Sequence, residues 1–592
     1  IPIFTVAESL HGAVHDGATI YPQNIALGST FNPELARKKT QMISDDLHSM
    51  GFRQVLSPCI DVVRDLRWGR VEESYGEDPY LCGLFGIEEV SGYLENGISP
   101  MLKHYGPHGN PLSGLNLASV ECGLRDLHEI YLKPFEMVVK NTGILAISNF
   151  SSKLLVFFLV PIYTSVLSTA EYGTYDLAMS TVLLLYPVLT VNIVDGVMRF
   201  SMEKGADHTK IISIALRFIF VGMFIMTVLL YINRTFHVWN DLYGVEQFIL
   251  FYYIFYVLNQ LMIQFSKGLE RIKDMGVAGV IGTIVTILSN VLFLLVWKLG
   301  LPGFFSASIL GQAIPAVYLA VRVKIWKYIG TVIDKTLQKE MLLYAVPLMM
   351  TTIGWWVNTA SDKYVVTFIC GVAANGLLSI AYKIPTILNT LQGIFIQAWQ
   401  VSAIKEYGSE EAKRFYRETF LYLNALMCVG CAGLIWLTRP IAHILFAKDF
   451  YQAWVFVPFL LVSSMLNAAS GYIGPILAAK KDSKSMAIAA FGGAGVNVVL
   501  NIALVYLMGI QGATIATVIA SYIIYIIRKR ATGDAVVSAK YKWIMTSWVV
   551  LCIQAACEVW IHNYLITGLL FVVMLFIYRK SILSVGRKLL KR

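Results

Sequence analysis

From residue 143 to the C-terminus the chain alternates long apolar runs with short polar loops, and the loops alternate in charge. A helix needs roughly 20 apolar residues to cross a ~30 Å hydrocarbon core. Fourteen stretches qualify, at 143–168, 174–198, 211–232, 245–266, 275–297, 303–321, 341–360, 364–400, 418–438, 452–478, 485–507, 512–527, 543–561 and 563–578. Asp362 and Lys363 are read as the divider between the seventh and eighth, with a break near Gly371 inside the eighth. If the first helix starts in the cytoplasm, the loops on that side hold 29 Lys and Arg. The opposite loops hold five: Arg234, Lys298, Lys363, Arg439 and Lys448. Cytoplasmic loops of membrane proteins carry the excess of Lys and Arg. The expectation is a mainly α, polytopic membrane protein of about fourteen helices with both ends in the cytoplasm.

Charge separates this part from the first 140 residues. Residues 1–140 hold 11 Lys and Arg against 18 Asp and Glu, and residues 141–592 hold 37 against 20. An acidic, soluble-looking segment thus precedes a basic, apolar one, and the basic excess reads as inside loops rather than nucleic-acid binding. The eight cysteines have no paired spacing, so neither a disulfide framework nor a metal site is expected. Residue 1 is Ile and no charged, then apolar, leader follows it, which reads as a start inside a longer frame without a signal peptide.

The apolar part carries a faint internal repeat. Gly173 with Pro187 in the second stretch matches Gly376 with Pro385 in the eighth. Gly300–Gly303 after the fifth stretch matches Gly509–Gly512 after the eleventh, with Asn290 and Asn501 before them. Two six-helix lobes plus two further helices are expected, with any substrate site between the lobes.

Ionisable groups inside a span are costly and point to a pathway. Lys153 stands in the first stretch, Asp176 and Asp195 in the second, Arg217 in the third and Lys383 in the eighth. An anionic head group crossing the bilayer needs cations, which Lys153, Arg217 and Lys383 are expected to supply. Asp176 is left between pairing with Lys153 and serving a coupling ion. Arg199 and Arg217 are also placed to snorkel to the cytoplasmic face. Trp355, Trp356, Tyr382, Trp399 and Tyr472 read as interfacial belt residues or sugar-stacking rings on a cavity wall.

Several phrases carry a family resemblance. Ser152–Leu155, Pro161–Thr164 and Leu167–Asp176 resemble the opening of polysaccharide-biosynthesis flippases of the multidrug/oligosaccharidyl-lipid/polysaccharide superfamily. Trp355-Trp356 with Ser361–Tyr364, Ala381–Pro385 with Ala398-Trp399, and Gly509–Thr517 are similar to later parts of that pattern. The resemblance implies a two-lobed cavity that moves undecaprenyl-diphosphate oligosaccharides, as for lipopolysaccharide O-antigen, to the outer leaflet of the bacterial inner membrane by alternating access. It implies no cofactor, and as partners the lipid-linked oligosaccharide, a polysaccharide polymerase and glycosyltransferases.

The first 140 residues resemble a different family. Glu8–Gly12, Pro22–Gly28, Ser57-Pro58 with Asp61-Val62, Arg64–Arg70, Tyr75–Pro79, Lys103-His104 and Pro134–Glu136 follow the order of the catalytic barrel of family-3 glycoside hydrolases. Short apolar runs alternate with helical ones here, as βα units do. The resemblance places Glu8, Arg70, Lys103 and His104 on sugar hydroxyls, as binding rather than bond-breaking groups. A retaining glycosidase needs a second carboxylate as nucleophile, and the family's Ser-Asp-Trp type motif does not follow; Ser361-Asp362 is the only later Ser-Asp pair. The segment is expected to be a truncated (β/α)8-barrel fragment without catalysis.

The expected organisation is a barrel fragment at 1–140, lobes at 141–340 and 341–530, and two extra helices with a basic tail at 531–592. No Pro-, Gly- or Ser-rich linker separates the first two at Asn141–Ile147, which reads as two frames joined at a shared phrase. A membrane-anchored β-glucosidase-like hydrolase and an exporter of drugs or lipid precursors are the competing readings.

Overall fold

The structure is a computed structural model that describes residues 5–139, 157, 159–203, 205–269, 271–330, 334–405, 412–480, 482–533 and 541–590. The chain divides into two compact units, Ile1–Lys153 with Glu270–Lys273, and Leu154–Leu269 with Asp274–Arg592.

The first unit is built on three parallel strands in the order β1 (Thr5–Ala7), β2 (Phe52–Val55) and β3 (Ser99–Pro100). Helices α1 (Glu34–Ser49) and α2 (Pro79–Glu95) connect them. Parallel neighbours need such crossovers, because a hairpin joins only antiparallel strands. The start of α2 is written locally: Asp78 caps it by accepting from the Tyr80 and Leu81 backbone N–H groups at 2.7 and 2.9 Å, and Pro79 sits at its first position. Among the described residues the sheet stays open and no barrel closes. Inside, Lys39 lies 3.6 Å from Glu89, both fully or almost fully buried. Burial lowers the Lys39 ammonium and raises the Glu89 carboxyl, and each partner opposes the shift.

The second unit is helical: α3 (Thr169–Leu189), α4 (Ile193–Ser201), α5 (His208–Phe236), α6 (Glu246–Gly268), α7 (Ile272–Asn290) and α8 (Gly300–Val323) come first. Then follow α9 (Lys335–Cys370), α10 (Val372–Ala381), α11 (Pro385–Lys405), α12 (Ala412–Trp436), α13 (Val457–Ala479) and α14 (Ser483–Met508). Helices α15 (Ile510–Thr532), α16 (Tyr541–Ala556) and α17 (Tyr564–Leu590) complete it. Polar caps mark the starts. Ser168 and Glu171 form a reciprocal capping box on α3, and Asp207, Asp334 and Asp482 cap α5, α9 and α14.

Among the described residues, ten helices are long and apolar enough to cross a membrane, and eleven if α3 and α4, bent by 60°, form one broken span. These account for ten or eleven of the fourteen expected spans. The first expected span falls mostly outside the described residues. The expected boundary between the seventh and eighth is wrong. Asp362 and Lys363 do not divide two spans; α9 runs unbroken through them for 36 residues, and the chain breaks at Gly371, whose φ of +89° suits glycine. The charges lie inside the helix because each has a partner there, described below. Lys363 therefore leaves the loop tally.

The helical unit has two buried cores. One gathers Leu177, Ile249, Phe305 and Met341 from α3, α6, α8 and the start of α9. The other gathers Val366, Leu423, Leu461, Tyr525, Leu551 and Met574 from the end of α9 to α17. The residues singled out by the repeat occupy like geometries. Gly300 and Gly509 have φ of +59° and +60°. Asn290 and Asn501, both buried, donate to the carbonyls of Thr286 and Asn497, one turn back. Gly173 and Gly376 face each other where α3 crosses α10.

Candidate functional site

A set of charged and hydroxyl groups lies where α3, α9 and α10 meet. Lys363 Nζ donates to Asp176 at 3.0 Å, which joins α9 to α3. Ser379 Oγ of α10 donates to the other Asp176 oxygen at 2.6 Å. One residue before Lys363, Asp362 is buried; it accepts from the Lys363 backbone N–H at 3.0 Å and from the Tyr382 hydroxyl. Tyr364 and Thr181 hydroxyls meet at 2.8 Å, and Tyr175 reaches Ser308 of α8 at 2.7 Å. Successive residues of α9 thus contact different neighbours because one helical step turns the side chain by about 100°. Asn375 fixes the crossing by donating to the Gly173 carbonyl at 3.1 Å. A buried ion pair is worth little to stability after desolvation, so its presence within an apolar bundle suits a task other than holding the fold.

The expected cavity residues fall unevenly around this junction. Asp176 is at its centre, but its partner is Lys363, a residue that sequence reading assigned to a loop. Lys153 lies outside the described residues. Lys383 follows Tyr382 directly, is half-buried, and acts electrostatically on the Tyr163 hydroxyl. Arg217 is half-buried on α5. Asp195 is engaged elsewhere, accepting from Gln264 at 2.6 Å and Asn192 at 2.8 Å. Arg199 pairs with Glu203 at 3.1 Å with both side chains about half exposed, which suits the snorkelling reading. Trp399 and Tyr472 are neither belt nor cavity-wall rings: they stack at 4.2 Å inside the second core, and the Trp399 indole donates to the Tyr472 carbonyl at 2.8 Å. Arg439 pairs at 2.7 Å with fully buried Glu558 and lies over the Trp454 ring.

In the first unit the four expected sugar-binding residues come together. Lys103 Nζ is bound to Glu8. Arg70 Nη1 lies 3.0 Å from His104 Nε2, while its other nitrogens clasp Glu73 at 2.7 Å. His104 Nδ1 lies 2.7 Å from Asp61 Oδ2, and the His104 backbone N–H also donates to Asp61. With Arg70 able only to donate, the His104 ring carries its proton on Nδ1 and directs it to Asp61. Asp61 is fully buried; it stands in the family-3 phrase Ser57-Pro58 with Asp61-Val62, to which the resemblance attached no sugar-binding role. Neighbouring His108 is held below the usual histidine range, first by burial and then by His104. Cys59, Asp61 and His104 offer atoms within 4.8 Å of one another, close enough to surround an ion. Burial and then Asp61 push the Cys59 thiol well above its usual range, which disfavours the thiolate a metal needs.

Ten apolar helices, two cores and a charged junction between helices define the second unit as part of a multi-pass membrane protein. Residues 138–400 match the family described as Polysaccharide biosynthesis protein, and residues 1–150 match the Glycosyl hydrolase family 3 N terminal domain. The chain therefore carries a match to the family-3 N-terminal domain followed by a match to the polysaccharide-biosynthesis family. The solved structure of the lipid II flippase MurJ, inward closed conformation, shares the helical fold with a TM-score of 0.56 and 16% identity, over 74% of this chain and 99% of that one. A β-xylosidase of Formosa agariphila is 35% identical over 158 residues, 24% of this chain and 22% of its own length. A β-glucosidase of Rhizobium radiobacter is 29% identical over 161 residues, 26% of this chain and 20% of its own. The chain spans about a fifth of the length of these curated relatives.

Proposed function

We propose that the chain flips a lipid-linked oligosaccharide, carried on undecaprenyl diphosphate, across the bacterial inner membrane for surface polysaccharide synthesis. The observation that carries this is Lys363, an ammonium held inside the bundle by Asp176 at the junction of three helices. A diphosphate entering the bundle finds there a cation that can exchange one anionic partner for another, and Lys383, Lys153 and Arg217 are the further cations of this reading. The lipid chain also has a complementary surface. A cavity of about 490 Å³ between α13, α15 and α16 is lined by apolar side chains, among them Val462, Leu466, Val518, Met545, Trp548 and Ile553. Fourteen spans, with both ends cytoplasmic, complete the reading; the polymerase and glycosyltransferases that make and use the glycan are its partners.

The full chain, given a start methionine and expressed in a bacterium lacking its oligosaccharide flippase, is expected to restore surface glycan. Lys383→Ala is expected to lower export by about tenfold, the worth of one charge-assisted contact of ~1.5 kcal/mol. Normal membrane levels of wild-type protein with no surface glycan, across several such strains, would rule the reading out.

In the first unit, Glu8, Arg70, Lys103 and His104 form a sugar-binding remnant without a nucleophile. The full chain should hydrolyse p-nitrophenyl β-glucoside and β-xyloside no faster than buffer. Turnover near the ~10 per second of an ordinary enzyme would restore the hydrolase reading.

A further inference from the structure

A second cavity, of about 300 Å³, lies between α6, α7 and α8 and belongs to none of the groups so far assigned a role. Its walls include Asn259, Gly279, Gly282, Thr283, Gly311 and Gln312, and no lining residue is charged. Its size is at the lower end for small-molecule sites. Gly279 is exposed at its edge, and a Cβ added there would meet nothing within 4 Å. Asn259 is more than nine-tenths buried; its Nδ2 donates to Gln312 Oε1 at 2.8 Å, and its Oδ1 has no hydrogen-bond partner among the described residues. Buried polar atoms are nearly always paired, so an unmatched carbonyl on a cavity wall calls for a donor from outside. Thr283 and Thr286 spend their protons on the Gly279 and Gly282 carbonyls, leaving their oxygens as further acceptors.

The cavity is connected to the charged junction by polar side chains. Tyr175, next to Asp176, hydrogen-bonds Ser308 of α8. One turn on, Gln312 Oε1 accepts from Asn259 Nδ2. Polar groups thus run from the charged junction along α8 towards this space. An uncompensated charge would be excluded from it, because the walls hold no counter-ion.

We infer that the cavity between α6, α7 and α8 is a neutral-sugar subsite, in which a hydroxyl of a sugar ring of the lipid-linked substrate donates to Asn259 Oδ1. The assignment of the ring to the transported lipid rests on the flippase reading; the site's preference for a neutral hydroxylated ligand does not. Glycan length and terminal residue would then be sensed in the first lobe while the diphosphate is held at the junction.

The test uses the full chain in nanodiscs of phosphatidylethanolamine and phosphatidylglycerol, purified without alkyl-glycoside detergents. The probes are radiolabelled hexyl glucoside, galactoside and N-acetylglucosaminide. At least one should bind saturably to wild type and about tenfold more weakly after Gly279→Leu, which fills the space, or Asn259→Leu, which removes the acceptor. Gly276→Leu is the control: it lies on the same helix, also has open space around its Cβ, and does not line the cavity. Binding that is equal in wild type and Gly279→Leu, or a phospholipid retained by wild type and lost from Gly279→Leu in native mass spectrometry, would overturn the subsite. Export by both leucine variants at the wild-type level overturns it too and leaves the flippase reading intact. Saturable, Gly279-dependent binding together with no export by wild type would instead sink the flippase reading and keep the site.

Discussion

Lys363→Met should reduce surface glycan export by at least about a hundredfold, a loss equivalent to roughly 3 kcal/mol. In wild type the ammonium is bonded to Asp176, and its side chain and that of Asp176 are both less than one-fifth exposed. Removing it leaves Asp176 with Ser379 alone and leaves buried Asp362 without its neighbouring cation. Breaking a buried pair from one side costs about 3–5 kcal/mol because the remaining charge is uncompensated. That cost alone would lower protein level as well as transport, so a second variant separates the two. Asp176→Asn in the Lys363→Met background removes the orphaned charge and should return the protein to wild-type abundance in the membrane. If Lys363 also receives the substrate's phosphate, export stays low in the double variant. Recovery of export together with abundance would mean that the ion pair only holds helices together. Lys363→Arg keeps the charge but changes its geometry, and an intermediate export is expected.

The same pair shows where sequence reading stops. Apolar length located ten spans found among the described residues, because a bilayer imposes one length rule on every crossing. That rule fails for Asp362 and Lys363. In one dimension two adjacent charges between apolar runs look like a loop; only the packed bundle shows Asp176, 187 residues earlier, on the other side of Lys363. Trp399 and Tyr472 were misplaced for the same reason, since an aromatic ring at a membrane edge and one in a helix-packing core have the same local sequence. The kink after Leu189 was half visible: Pro187 was noted, but the bend also needs Val191 and Asn192 in the left-handed region, which apolar periodicity does not encode. In the first unit the motifs brought Glu8, Arg70, Lys103 and His104 to one place because a family pattern records spatial neighbours directly. Asp61 belongs to the same pattern but takes no role from it, since one Asp in an apolar phrase carries no mark of its partner.

Gly173→Leu should be the most damaging substitution of an uncharged residue in the helical unit. At the crossing of α3 with α10, a Cβ built on Gly173 would lie 1.9 Å from the Val372 carbonyl oxygen, and one built on Gly376 would lie 2.0 Å from that of Thr169. Both obstacles are backbone, so no rotamer change relieves them, and neither glycine owes its identity to an unusual φ. Small residues permit such close approach between membrane helices, which supplies packing where the surrounding lipid offers no hydrophobic drive. Overpacking by a few methylenes costs about 1–3 kcal/mol when side chains can adjust, and here the helices themselves must separate. The separation would also break the Asn375 bond to the Gly173 carbonyl and pull Ser379 from Asp176, disturbing the charged junction from behind. Gly173→Ala should therefore already lower folded protein in the membrane several-fold, Gly173→Leu should abolish it, and Gly376→Leu should match it. Fluorescence-detected size-exclusion chromatography of a tagged full chain reads this directly. Gly393→Leu, at a site where a Cβ meets nothing within 4 Å, is the comparison. A monodisperse peak of wild-type height from Gly173→Leu would show that α3 and α10 do not need this contact, and the geometry of the Asp176 site would have to be held by other means.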